Sequence, residues 1–158
     1  ARTHHYIPAE FARVCGIIRS KIGGNKIRQV SSMNRSRFTA LLAESPTPLL
    51  CDGAMGTMLN ARGVSFNQCF DELNLQQPAA VAEIHRAYIE AGAQIITTNT
   101  FGANRYRLAA HGLEDRVREI NQAAVELARR AVLASFKDVL IAGNVGPLGV
   151  RLAPYGRV

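Results

Sequence analysis

The stretch "QIITTNTFGANRYRL", residues 94–108, decides how the rest of the chain is read. Ile95 and Ile96 follow one another without alternation, as in a strand buried on both faces. Thr97, Thr98, Asn99 and Thr100 then place four hydrogen-bonding side chains where that strand ends. "GANRYRLAAHG" (102–112) follows as a short helix stopped by Gly112. On the N-terminal side, "QPAAVAEIHRAYIEAG" (77–92) predicts a helix with Pro78 in its first turn and Gly92 just past its end. Val81, Ile84, Tyr88 and Ala91 fall on one of its faces, which leaves Glu83 and His85 as surface residues. Earlier still, "PLLCDG" (48–53) is an apolar run closed by Asp-Gly, a strand and its turn. A loop of about twenty-five residues joins it to the helix, long enough to suggest function.

On the C-terminal side, residues 114–136 form a longer helix with Val117, Ile120, Ala124, Leu127 and Ala131 in one stripe. Its acidic start and the basic pair Arg129 and Arg130 near its end suit the helix dipole. "DVLIAGNVGP" (138–147) is a third strand. Strand, helix, strand, helix, strand, with apolar runs that barely alternate, is the pattern of a parallel α/β sheet built from βαβ units. The order alone leaves an open doubly wound sheet and a closed barrel equally possible.

In both architectures ligands bind beyond the carboxyl ends of the strands. Those ends carry Asp52 and Gly53, then Thr98, Asn99 and Thr100, then Asn144, with no Lys or Arg among them. "DGAMGT" (52–57) adds glycines that let backbone N–H groups turn toward an anion. Neither G-x-G-x-x-G nor G-K-[ST] is present, so nucleotide phosphate is poorly supported. The set suits a small zwitterion, with Asp52 for an ammonium group and the loop amides for a carboxylate. A plainer reading makes Asp-Gly a tight turn and the Thr/Asn run a cap for the next helix.

The bulk composition fits one soluble globular domain: 158 residues, 47% hydrophobic and 20% charged. No run of eighteen or so apolar residues occurs, which excludes a membrane-spanning helix, and the opening residues lack the order of a secretory signal. Cys15, Cys51 and Cys69 show neither zinc-finger nor C-x-x-C spacing, so free thiols in a reducing cytoplasm are the expectation. The net charge of +7 sits mainly in residues 1–46, where eight Lys/Arg face two Asp/Glu; residues 47–158 hold eleven against ten. Scattered among Gly, Ser and Asn, that basic character reads as a tail, and a nucleic-acid partner is not expected. Residues 1–32 form this basic upstream segment, and Met33 opens "MNRSRFTALLAESPTP" (33–48), a short helix ended by Pro46 and Pro48. Met33 is therefore the expected native start, with Leu41 and Leu42 packing under the first strand.

Together, "LLCDGAMGTML" (49–59), residues 70–108 and "VLIAGNVGPLG" (139–149) resemble the start of the homocysteine S-methyltransferase domain. "CFDELNL" (69–75) and residues 102–121 are most similar to bacterial proteins that join this domain to a methylenetetrahydrofolate reductase. The resemblance implies that residues 33–158 are about three βα units of a (β/α)8 TIM barrel, an N-terminal fragment. It implies methyl transfer to the thiol of homocysteine to give methionine, with zinc held by cysteines of later strands that match none of Cys15, Cys51 and Cys69. No metal ligand is expected in this chain, and the fragment alone is expected to be inactive. The methyl donor stays open among a methylated folate, a corrinoid and a sulfonium or betaine compound. The resemblance assigns the substrate amino group to Asp52, its carboxylate to the amides of Gly53, Ala54, Met55 and Gly56, and the pocket wall to Thr98, Asn99 and Asn144. Thr97 stands where many relatives carry an acid. Two other readings remain beside it: another TIM-barrel enzyme using the Asp-Gly carboxylate, and a non-enzymatic binding module derived from a barrel.

Overall fold

The computed structural model describes residues 37–151 and 154–156. The expectations for residues 1–32, for Cys15 and for the Met33 start lie outside them. Six helices and two strands follow in order: α1 (Arg37–Glu44), α2 (Met55–Ala61), α3 (Leu73–Gln76), α4 (Pro78–Glu90), β1 (Ile95–Thr97), α5 (Arg105–Ala109), α6 (Val117–Ser135) and β2 (Leu140–Ala142).

β1 and β2 pair in parallel, with Ile95 opposite Leu140, Ile96 opposite Ile141 and Thr97 opposite Ala142. The first expected strand contracts to one parallel bridge, Cys51 to Ile95. Its backbone nevertheless runs along β1: the Gln94 and Ile95 amides donate to the Leu50 carbonyl, and the Asp52 amide donates to the Ile95 carbonyl. Three segments thus lie side by side with β1 central, and all three point the same way. Parallel neighbours require a crossover of a dozen or more residues, which α4 and α6 supply.

Burial of β1 is what makes it central. Ile96 is fully buried among Ile89, Ala93, Ala128, Ala131 and Val139, which ties α4 and α6 to the sheet. A second apolar cluster joins Leu59, Val64, Leu73, Val81 and Ile84, and a third joins Ala103, Leu108, Leu113 and Ile120. The α6 stripe is as expected at Ile120, Ala124 and Ala131, with Ala128 completing it and Val117 and Leu127 half-buried. Small alanines let α4 and α6 approach closely, and each apolar contact made there contributes roughly 25 cal/mol per Å² removed from water.

Several expectations are corrected. The loop after Asp-Gly contains α2 and α3, because Leu59 and Leu73 bury against α4. On α4 the buried residue near the end is Ile89, while Ala91 is the exposed C-cap. His85 is fully buried rather than on the surface. Arg129 and Arg130 lie before the final turn of α6, which runs on to Ser135 and ends at Phe136 in the left-handed region (φ 53°). α1 buries no residue completely: Leu42 is exposed and Leu41 half-buried.

Candidate functional site

Both strand ends are held by hydroxyl groups. The Asn144 amide donates to Thr98 Oγ1 at 3.0 Å, and Thr100 Oγ1 donates to the Asn144 carbonyl at 2.7 Å. Thr98 Oγ1 and Thr100 Oγ1 lie 2.7 Å apart. Each hydroxyl owns one proton. Thr100 has given its proton to Asn144, so Thr98 donates to Thr100. A closed ring results, running from Asn144 N–H through Thr98 and Thr100 back to the Asn144 carbonyl. It joins the end of β1 to the end of β2 and commits both threonine protons.

Asn99 is tied the other way. Its side-chain amide donates to the Phe70 carbonyl at 2.7 Å and to Asn74 Oδ1 at 3.2 Å, while its backbone carbonyl accepts from Asn74 Nδ2 at 2.8 Å. The polar run is therefore not a helix cap. That duty falls to Asn104, whose side chain accepts from the Tyr106 and Arg107 amides, each at 3.1 Å.

Asp52 turns back onto β1. Its carboxylate accepts from the Thr97 amide at 2.8 Å and from Thr97 Oγ1 at 3.1 Å. Burial, only partly offset by these bonds, holds its pKa above the usual 3.8. Gly53 and Gly56 are fixed by what lies behind them. A Cβ on Gly53 would stand 2.8 Å from Tyr88 Oη, and one on Gly56 would stand 2.9 Å from Phe70 Cε2. Tyr88 also donates its hydroxyl to the Ala54 carbonyl at 3.4 Å, which sets the loop against α4.

These pieces open into one cavity of about 730 Å³. Gly53, Ala54, Met55 and Gly56 line it, together with Thr97, Thr98, Asn99 and Asn144. Asp52 is not in the lining; it stands behind Thr97. Sequence reasoning missed the remaining wall, which includes Cys69, Phe70, Asp71, Phe101, Arg107 and His111. Asp71 is buried, and its Oδ1 accepts from the Gly102 amide at 2.9 Å. Burial raises the pKa of Asp71 and of the Cys69 thiol, against the opposing pull of Arg107 and His111 on Asp71. Gly102 makes room for this carboxylate, since a Cβ there would collide with Asp71 Oδ2.

Among the described residues, Cys51 and Cys69 form no disulfide. Among the described residues no group of three or more His, Cys, Asp or Glu is placed to hold a metal ion. No helix among them is long and apolar enough to cross a membrane.

The family model for homocysteine S-methyltransferase matches residues 49–157. The chain belongs to the homocysteine S-methyltransferase family. Within that family it is 37% identical over 114 residues to methionine synthase of Mycobacterium tuberculosis (strain ATCC 25618 / H37Rv), covering 66% of this chain and 10% of that protein. Homocysteine S-methyltransferase of Escherichia coli (strain K12) is 33% identical over 130 residues, 77% of this chain and 42% of that one. The crystal structure of the homocysteine methyltransferase MmuM from Escherichia coli, in its metallated form, superposes with a TM-score of 0.62 at 34% identity. That superposition covers 70% of this chain and 41% of MmuM. This chain thus spans less than half the length of these relatives.

Proposed function

We propose that this chain forms the homocysteine-binding part of a homocysteine S-methyltransferase built on a (β/α)8 barrel, of which it supplies about three βα units. One observation supports the reading. The Gly53–Gly56 loop and the ends of both strands, far apart in sequence, open into a single cavity and bring backbone and neutral polar groups to it. In this reading the loop amides receive the substrate carboxylate. Asn99 and Asn144 form the wall around the side chain. Thr98 acts through its hydroxyl ring, which fixes where Asn144 stands.

Asp52 is the partner of the ammonium group. The Thr97 amide and hydroxyl leave it lone pairs over, and burial raises its pKa. An arriving ammonium supplies a counter-charge. Affinity for homocysteine is then full above the Asp52 pKa and is lost as pH falls through it.

The activity of the whole enzyme is methyl transfer to the homocysteine thiol, giving methionine. Zinc bound in the whole enzyme would supply the positive charge that favours the thiolate of a thiol mostly protonated at neutral pH. The residues described here do not fit that ion, so its ligands are assigned to the portion of the relatives that this chain does not span. We accordingly expect no methyl transfer by the 158-residue chain alone. The donor, and a fused methylenetetrahydrofolate reductase, remain parts of the proposal carried by the resemblance.

Calorimetric titration with L-homocysteine tests the reading. Binding is expected for the folded chain, and Asp52→Asn is expected to weaken it by about 1.5–3 kcal/mol, the range for a hydrogen bond to a charged group. A folded chain that takes up no homocysteine refutes the proposal; unchanged affinity in the variant removes Asp52 from it.

A further inference from the structure

The cavity exceeds what one small amino acid fills. Sites of roughly 300–1,000 Å³ enclose ligands of drug size, and this one has about 730 Å³. The lining left over after homocysteine is placed has a different chemistry: aromatic rings at Phe66, Phe70 and Phe101, with Asp71, Arg107 and His111 among them.

Arg107 is held by packing rather than by charge. Its guanidinium carbon lies 5.7 Å from the centre of the Phe101 ring. A Cβ on Gly149 would stand 3.2 Å from Arg107 Cγ, and one on Gly102 would stand 3.4 Å from its Nε. Both glycines thus leave room for the arginine stem. Asp71 is the acid that acts on it, yet Asp71 Oδ1 is taken by the Gly102 amide, and no ion pair joins the two side chains within 4.0 Å. Among the described residues the guanidinium makes no hydrogen bond. Arg107 lines the cavity with its guanidinium N–H donors unspent and a phenyl ring beside them. This is the arrangement with which arginine takes a carboxylate in two parallel bonds.

We propose that Arg107 receives the carboxylate of a small organic methyl donor that binds beside homocysteine in the same cavity. The inference rests on the reading above that homocysteine occupies the glycine loop. Transfer between two small molecules needs both in one cavity, with the reacting atoms about 3–3.5 Å apart. A carboxylate remote from the methyl group lets binding energy orient the donor without touching the reacting centre. In the transfer the thiol proton goes to solvent, and the sulfur pair forms the new S–CH3 bond. The pair of the broken bond stays with the donor heteroatom. Arg107 is a specificity residue in this scheme, since it selects donors that carry a free carboxylate over a corrinoid.

The 158-residue chain, wild type and Arg107→Gln, is titrated with L-homocysteine, then with S-methyl-L-methionine, 5-methyltetrahydrofolate and methylcobalamin in saturating homocysteine. Circular dichroism confirms that the variant is folded. The expected result is that one carboxylate donor binds without displacing homocysteine, and that Arg107→Gln weakens that donor by roughly tenfold or more. Homocysteine affinity is expected to change less than about twofold, inside the spread of surface substitutions. Donor binding that competes with homocysteine, that ignores Arg107→Gln, or that is seen only with methylcobalamin overturns the inference and leaves the homocysteine reading standing. Absence of binding by all three donors overturns it as well. Absence of homocysteine binding sinks the homocysteine reading and, with it, the inference that rests on it.

Discussion

His85 sits fully buried on α4 with neither ring nitrogen hydrogen-bonded among the described residues. A charged imidazole has no solvation there, and its pKa falls from 6.5 to about 4. The unfolded chain therefore binds a proton that the folded chain refuses between those values, so stability drops as pH falls from 6.5 toward 4. At one pKa unit per 1.36 kcal/mol, that window corresponds to a loss of about 3 kcal/mol. Urea unfolding at pH 7.5 and pH 4.5 measures it, and His85→Leu should flatten the difference. Asp52 and Asp71 act oppositely, since their raised pKa values relieve the folded state as pH falls toward 3.8. Both effects belong to the acid limb, and the variant separates them. The hydroxyl ring makes a second residue-scale prediction. Thr98→Val and Thr100→Val each leave a buried partner unsatisfied and should cost about 1–3 kcal/mol. Because both belong to one ring, the double variant should cost less than the sum. Thr→Ser at either position keeps the hydroxyl and should recover part of the loss. Additive costs in the valine series would show that the ring is not a unit.

At the level of elements, the end of α6 offers the clearest test. Phe136 adopts φ 53° with its side chain 97% exposed, so it bears the left-handed penalty and gains nothing from burial. That conformation costs an ordinary residue about 1–2 kcal/mol, and glycine, the usual residue at such a helix end, avoids it. Phe136→Gly should raise the melting midpoint, after the greater chain entropy of glycine offsets about 0.5–1 kcal/mol; an unchanged or lower midpoint contradicts the account. The same scale shows what the sequence made legible. The Ile95–Ile96 pair, the alanine stripe of α6 and the Pro78 start of α4 are local signals, and each element formed where they stand. The misreadings arose where partners are distant in sequence. His85 lies beside Ile84 on a helix whose other faces are covered by α3 and α6, so burial wraps farther round than one apolar stripe implies. Leu59 and Leu73 turned a supposed loop into α2 and α3 because α4 lies above them. For the site, strand ends pointed to Gly53–Gly56 and Asn99. Asp71 and Arg107 were invisible because only the fold brings them to the cavity.

For the molecule as a whole, the sheet is the weak layer. Among the described residues β1 is flanked on both sides, whereas β2 has one partner, and all three residues of β2 are half-buried. Val145 beyond it is 93% exposed, and Leu133 and Phe136 nearby in sequence are exposed as well. Open strand edges beside exposed apolar residues invite association. The chain should bind ANS and sediment as concentration-dependent oligomers at neutral pH, and Val145→Asp should reduce both signals. A monomer at high concentration with no ANS binding would contradict this expectation.

The ring that joins Thr98, Thr100 and Asn144 also makes one amide a reporter. The Asn144 N–H gives its proton to a hydroxyl of the neighbouring strand end rather than to a carbonyl of the ladder. Solvent deuterium reaches it only when the two strand ends part. Its exchange rate in a two-dimensional amide spectrum therefore times the opening of the cavity floor, separately from fraying at the helix ends. Homocysteine should slow that one signal while leaving amides at the end of α6 unchanged.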